Sequence, residues 1–123
     1  MDSQRTYELV HTVRFESARR LPKVPPGHPC GRTYGLAFYL EIHVRGTVDP
    51  ATGWVFDFAE IERAFAPLRA QVDHNHLNEI EGLDNPTSET LVTWIWDRLK
   101  PRLPGLVQLS LRENDVSRVI YRG

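Results

Sequence analysis

Apolar residues recur along this chain with two different periods, and each change of period marks a new element. Residues 6–15, TYELVHTVRF, mix β-branched and aromatic side chains and predict a strand. Residues 21–33, LPKVPPGHPCGRT, are rich in Pro and Gly and predict an irregular loop. In YGLAFYLEIHVRGTV, residues 34–48, Leu36, Phe38, Leu40, Ile42 and Val44 recur at period two. One face of that strand is therefore apolar, while Tyr39, Glu41, His43 and Arg45 point the other way. DPATG then supplies turn residues.

The period next lengthens to that of a helix. Phe58, Ile61, Phe65, Leu68 and Val72 form one stripe, with Asp57 as cap, Glu60 completing a capping box, and Pro67 predicting a kink. DHNHLNEIEGLDN is a polar loop. A second helix is predicted from Asn85 as cap and Pro86 in the first turn. Leu91, Ile95 and Leu99 form its inner stripe, flanked by Trp94 and Trp96, and it stops before Pro101. LVQLSLRE and SRVIYR read as two closing strands around an NDV turn. The order ββααββ predicts an α+β domain: an antiparallel sheet with helices on one face. The other face keeps aromatic and β-branched residues, so it is expected to be buried by oligomerisation.

Length and charge narrow this picture. The 123 residues predict a single domain spanning 1–123. A net charge of −1 with mixed signs argues against a nucleic-acid footprint or an anionic-membrane patch. No run is long and apolar enough to cross a bilayer. MDSQRTYELVHTV lacks the basic and apolar regions of a signal peptide, so a cytoplasmic protein is expected. The lone Cys30 excludes an internal disulfide.

Candidate chemistry lies in four places. Cys30 sits in a Gly/Pro loop rather than on an apolar stripe, and would act as base or nucleophile only beside a group that favours its thiolate. Asp73 precedes His74, and a carboxylate can hold an imidazole tautomer and raise its basicity. Neighbours on a strand point apart, so that pairing needs loop geometry or different subunits. The bland alternative is a polar connector; a His74-x-His76 site with Cys30 is a weak metal signal. Glu113 shares a face with Val107, Leu109 and Leu111. It either reaches water at the strand end or grips a bidentate N–H donor such as a pterin or guanine edge. For Arg19 and Arg20 a surface position is the plain expectation.

Together, GHPCGR, GWVFDFAEI, VDHNHLNEIEGLDNPTSE and WIWDRLKP resemble the 6-pyruvoyl-tetrahydropterin synthase family, and within it the 6-carboxy-5,6,7,8-tetrahydropterin synthase branch of the queuosine and deazapurine pathway. The resemblance runs from VRFESARRLP to VIYRG. It implies a T-fold: a four-stranded antiparallel sheet with two helices on one side, three subunits closing a barrel, and two rings stacking into a hexamer. It implies active sites between subunits and a pterin-like partner. By the same resemblance Cys30 is the proton-abstracting base, Asp73 and His74 relay the proton, Glu113 anchors the pterin ring, and Thr87 lies near that ring.

The family's zinc ligands do not carry over. They are one histidine in F-x-A-A-H-x-L and two in H-G-H. Here FESARRL puts Arg19 at the first position, and YGL puts Tyr34 and Leu36 at the others. A guanidinium has no lone pair for a metal, so no zinc cofactor is expected. Losing about 4 kcal/mol of Lewis-acid stabilisation slows proton abstraction about a thousandfold. Arg19 and Tyr34 instead suit an anionic substrate group or an oxyanion. The expectation is therefore altered or weak lyase chemistry on an anionic pterin-like substrate. The alternatives are a non-catalytic pterin- or purine-binding module, and an authentic synthase holding zinc differently, for example through His28.

Overall fold

The first strand, β1, outruns its apolar signal: it spans Thr6–Arg19 and pairs along its full length with β2, Tyr34–Thr47. The computed structural model describes residues 5–123. The start of the segment read as no signal peptide, residues 1–4, lies outside the described residues. Helix α1 follows at Phe58–Val72, then a two-residue strand β3, Asn75–His76, helix α2 at Ser88–Leu99, and strands β4, Leu106–Arg112, and β5, Arg118–Tyr121. Short single-turn helices sit at Pro29–Gly31 and Leu77–Glu79.

The sheet has five strands in the order β3-β1-β2-β4-β5, not the predicted four. The extra strand comes from the polar loop after α1. β1 continues past Phe15 and leaves an open edge at its end, and the returning chain satisfies it. Asn75 and His76 pair in parallel with Ser17 and Ala18. Around them Ser17 Oγ donates to the Val72 carbonyl, 2.6 Å, and the His74 amide donates to the Glu16 carbonyl. A free strand edge needs such partners. The remaining pairings are antiparallel, as expected.

The core forms where the sheet meets both helices. Val13 and Phe15 from β1, Phe38, Leu40, Ile42 and Val44 from β2, and Leu109 and Leu111 from β4 are buried. Ile61, Phe65, Leu68 and Val72 pack from α1, and Leu91, Ile95 and Leu99 from α2. Phe58 is an exception to the predicted stripe: at the first position of α1 it is 47% exposed and lies beside the His11 ring. Asp57 caps α1 by accepting from the Ala59 amide, but Glu60 pairs with Arg63 rather than returning to the cap. The helix runs through Pro67 as one element.

The cap of α2 also differs from expectation. Thr87, not Asn85, is the cap, and its Oγ1 accepts from the Thr90 amide at 3.2 Å. The Pro86 carbonyl turns away to accept from Arg19, so the helix cannot begin earlier.

The opposite sheet face is more charged than its aromatic and β-branched residues alone suggest. His43 Nδ1 lies 2.8 Å from Glu8 Oε2, Arg14 donates to Glu16, and Arg112 stacks 4.4 Å from the Tyr39 ring centre. Val10 and Ile120 stay exposed among them. No helix among the described residues is long and apolar enough to cross a membrane.

Candidate functional site

The site is built at the loop end of the β1–β2 hairpin. Arg19 and Tyr34 are the closing pair of its register, and Ser17 faces Leu36 just inside. Residues opposite one another in an antiparallel ladder share a face. The register therefore gathers Arg19, Tyr34 and Leu36, scattered in sequence, on the helix-covered side of the sheet.

Arg19 is not a surface residue. Its side chain is 4% exposed, whereas Arg20 is exposed as expected. The guanidinium lies 5.4 Å from the Phe38 ring centre and 5.5 Å from that of Tyr34. Its Nε donates to the Tyr34 hydroxyl at 2.9 Å, Nη1 to the Pro86 carbonyl at 3.1 Å, and Nη2 to Glu113 Oε2 at 2.8 Å. A buried cation demands such partners, and here strand, loop and strand end each provide one. Glu113 just past β4 is thus both paired and 37% exposed. Its other oxygen remains available, since a carboxylate has acceptor capacity for several donors.

A cleft of about 300 Å³ opens at this point and is lined by Arg19, Cys30, Tyr34, Thr87 and Glu113 among others. Five residues singled out from sequence thus share one cavity. Cys30 is partly buried in the single turn Pro29–Gly31. Its amide donates to His28 Nδ1 at 3.1 Å, and its carbonyl accepts from the Leu21 amide at 2.8 Å. Both bonds hold the loop that carries the thiol. Burial is the main influence pushing the Tyr34 phenol above its ordinary value, against the opposing effect of Arg19. Thr87 contributes through its cap: its hydroxyl also donates to Thr90 Oγ1 at 3.0 Å.

Asp73 and His74 do pair within one chain. His74 Nδ1 lies 3.0 Å from Asp73 Oδ2. Adjacent side chains converge because His74 adopts φ +56, the left-handed region, rather than continuing a strand. Asp73 Oδ1 accepts from the Glu16 amide at 2.9 Å, and that bond, ahead of His74, holds its carboxyl below the usual range. His74 is 74% exposed, and neither residue lines the Cys30 cleft.

The donor set does not fit zinc at the three gathered positions. The Arg19 guanidinium offers only N–H donors, Leu36 offers nothing, and Tyr34 Oη already accepts from Arg19. Among the described residues no group of three His, Cys, Asp or Glu is arranged to hold a metal ion. His11 instead faces Glu62 and His43 faces Glu8, both away from the cleft.

Sequence reading missed Arg112, Arg118 and Glu89, which also line the cleft, and the Pro86 carbonyl that orients Arg19. No local pattern flags them, because the β4–β5 turn and the start of α2 meet only through the fold. It also missed Glu16, whose amide sets Asp73; the Asp-His dipeptide was the one available signal.

Comparisons with known proteins agree with this architecture. The dihydroneopterin monophosphate aldolase of Pyrococcus furiosus is 31% identical over 105 residues, covering 85% of this chain and 78% of that protein. The 6-carboxy-5,6,7,8-tetrahydropterin synthase of Synechocystis sp. is 33% identical over 113 residues, covering 87% and 86%. The solved 6-pyruvoyl tetrahydropterin synthase of Caenorhabditis elegans has a TM-score of 0.89 over 100% of this chain and 99% of its own, and at 22% identity it speaks for the fold. The model for 6-pyruvoyl tetrahydropterin synthase matches residues 8–123, and the chain belongs to that family.

Proposed function

We propose that the cleft binds a pterin-like base with an anionic substituent, and that the protein performs lyase-type chemistry on its side chain without zinc at the family's metal positions. One observation carries this reading: a buried guanidinium bonds both Glu113 and Tyr34 in a cleft that Cys30 also lines. Glu113 presents a carboxylate to the base's N–H edge, beside Thr87. Cys30 takes a proton from the substrate side chain. The electron pair left behind gathers on a neighbouring oxygen, and Arg19 has further N–H donors to meet it. Arg19 spends three of its five N–H donors on Tyr34, Pro86 and Glu113, and those left favour an anionic group in the cleft. The relatives' names describe different reactions, an aldolase and a synthase, so the family leaves room for altered chemistry.

Asp73 and His74 would reach the thiol from a second copy in a homo-oligomer, a trimer or hexamer. Their absence from the cleft of their own chain also favours a second reading, a non-catalytic pterin-binding module.

Equilibrium binding of a pterin, followed by its fluorescence, tests both. On the enzyme reading Glu113→Gln weakens binding at least about tenfold, equivalent to about 1.4 kcal/mol. Cys30→Ser keeps binding and abolishes turnover of a dihydroneopterin phosphate. Binding without turnover in the unaltered protein favours the module; no binding at all overturns the pterin site.

A further inference from the structure

The loop that joins β1 to β2 gathers positive charge that the rest of the chain does not answer. From Ser17 to Leu40 the sequence holds Arg19, Arg20, Lys23 and Arg32, and no Asp or Glu. Arg19 pairs with Glu113, but among the described residues Arg20, Lys23 and Arg32 make no ion pair. A cavity of about 600 Å³ opens in this loop, lined by Arg20, His28, Arg32 and the four loop prolines, with no carboxylate. It is distinct from the cleft that Cys30 lines, yet Leu21 belongs to the wall of both.

The loop holds this shape through its own bonds. The Leu21 amide donates to the Cys30 carbonyl at 2.8 Å and closes the neck, and the His28 amide donates to the Pro25 carbonyl at 3.0 Å inside it. The prolines restrict the backbone further. Asn78 clamps the Arg20 backbone from both sides: Oδ1 accepts from its amide at 2.8 Å, and Nδ2 donates to its carbonyl at 2.7 Å. His28 Nδ1 accepts from the Cys30 amide at 3.1 Å, so the neutral ring carries its hydrogen on Nε2 and is a donor there.

We propose that this cavity is a phosphoryl-binding site, with Arg20, Arg32 and the His28 Nε2–H as its donors. Two guanidiniums around one cavity repel each other, and an anion between them turns that repulsion into attraction. A carboxylate brings one charge and two oxygens. A phosphoryl group brings three terminal oxygens and close to two negative charges, enough for two guanidinium forks and an imidazole N–H to share. The phosphoryl group belongs either to the side chain of the cleft's ligand, reaching past Leu21, or to a free inorganic phosphate. The first source rests on the reading of the cleft as a pterin site; the second does not.

Calorimetric titration with inorganic pyrophosphate at low ionic strength tests the site. The unaltered protein should bind it saturably, and Arg20→Gln and Arg32→Gln should each weaken binding about tenfold. Both side chains are exposed, so both variants should fold. Lys23→Gln removes the same charge from the same loop but from outside the cavity lining, and should change binding less than about twofold. No saturable binding overturns the proposal. So does equal weakening by all three substitutions, which would mean diffuse attraction to a basic loop. Competition then identifies the source. A dihydroneopterin phosphate that displaces pyrophosphate, and that loses affinity in Arg20→Gln while unphosphorylated neopterin does not, makes the phosphoryl group the ligand's own. Pyrophosphate binding that the pterin phosphate leaves unchanged makes it a free anion, and the site stands. If no pterin binds at all, the functional reading falls while the pyrophosphate result survives, so the two can be told apart.

Discussion

Arg19 and Glu113 lie 94 positions apart in the chain, yet the guanidinium Nη2 donates to the carboxylate across 2.8 Å. The bond ties the end of β1 to the end of β4 beside the start of α2. It closes one wall of the cleft, and it makes a buried cation tolerable.

Breaking that bond should therefore destabilise the fold as well as the site. Glu113→Ala leaves a guanidinium that is 4% exposed without its counter-charge. Glu113 itself is 37% exposed, so water can partly replace it, and the cost falls below that of a fully buried pair. We expect a loss of about 2 kcal/mol, read from the midpoint of urea unfolding at unchanged slope. An unchanged midpoint would mean that Arg19 is satisfied by Tyr34 and Pro86 alone.

Restoring the family's ligands should restore a metal site. The hairpin register already gathers positions 19, 34 and 36 on one face. The combined change Arg19→His, Tyr34→His and Leu36→His is expected to bind about one zinc per chain, the complement of a three-histidine site. The unaltered protein, purified from zinc-supplemented cells, should hold none. Elemental analysis of both preparations gives the answer, and zinc in the unaltered protein at one equivalent would remove the metal-free reading.

The backbone at His74 makes its own prediction. At φ +56 a β-branched residue is strained, whereas Asn and Gly are tolerated. His74→Val should cost about 1–2 kcal/mol, while His74→Asn should be near neutral in stability. Both lose the imidazole, so both should lose turnover. Thermal unfolding of the two variants separates the backbone from the side chain.

Acid should weaken the fold through carboxylates held below their ordinary range. Glu62 is held there first by His11, 2.8 Å away, Glu8 first by His43, and Asp73 first by the Glu16 amide. A folded value below the unfolded one means stability fully present above the ordinary carboxylate range, about pH 4, and lost as pH falls through the depressed values. The melting temperature should drop steadily below about pH 4. Asp73→Asn, which keeps an oxygen for the Glu16 amide, should flatten part of that drop. A melting temperature that is level or rises on acidification contradicts the assignment.

Much of the fold is legible in the sequence, and the reason is periodicity. The period-two run from Leu36 to Val44 and the stripe Ile61, Phe65, Leu68, Val72 encode burial locally, so strands, helices and core follow from spacing alone. Cys30 and Glu113 could be marked as chemistry because each departs from its local pattern, Thr87 only through the family resemblance, and the cleft brings all three together.

Other features depend on contacts between distant segments. Two adjacent arginines look alike in sequence; only the end of the β1–β2 register and the Pro86 carbonyl bury Arg19 and leave Arg20 in solvent. The Asp73–His74 contact needed a left-handed residue that no propensity demanded. β3 exists because an open strand edge happened to meet a returning loop. Local composition determined which residues could form elements and which could do chemistry. The tertiary structure decided which charge is buried and what it touches, because desolvation and hydrogen-bond geometry depend on neighbours that the chain supplies from far away.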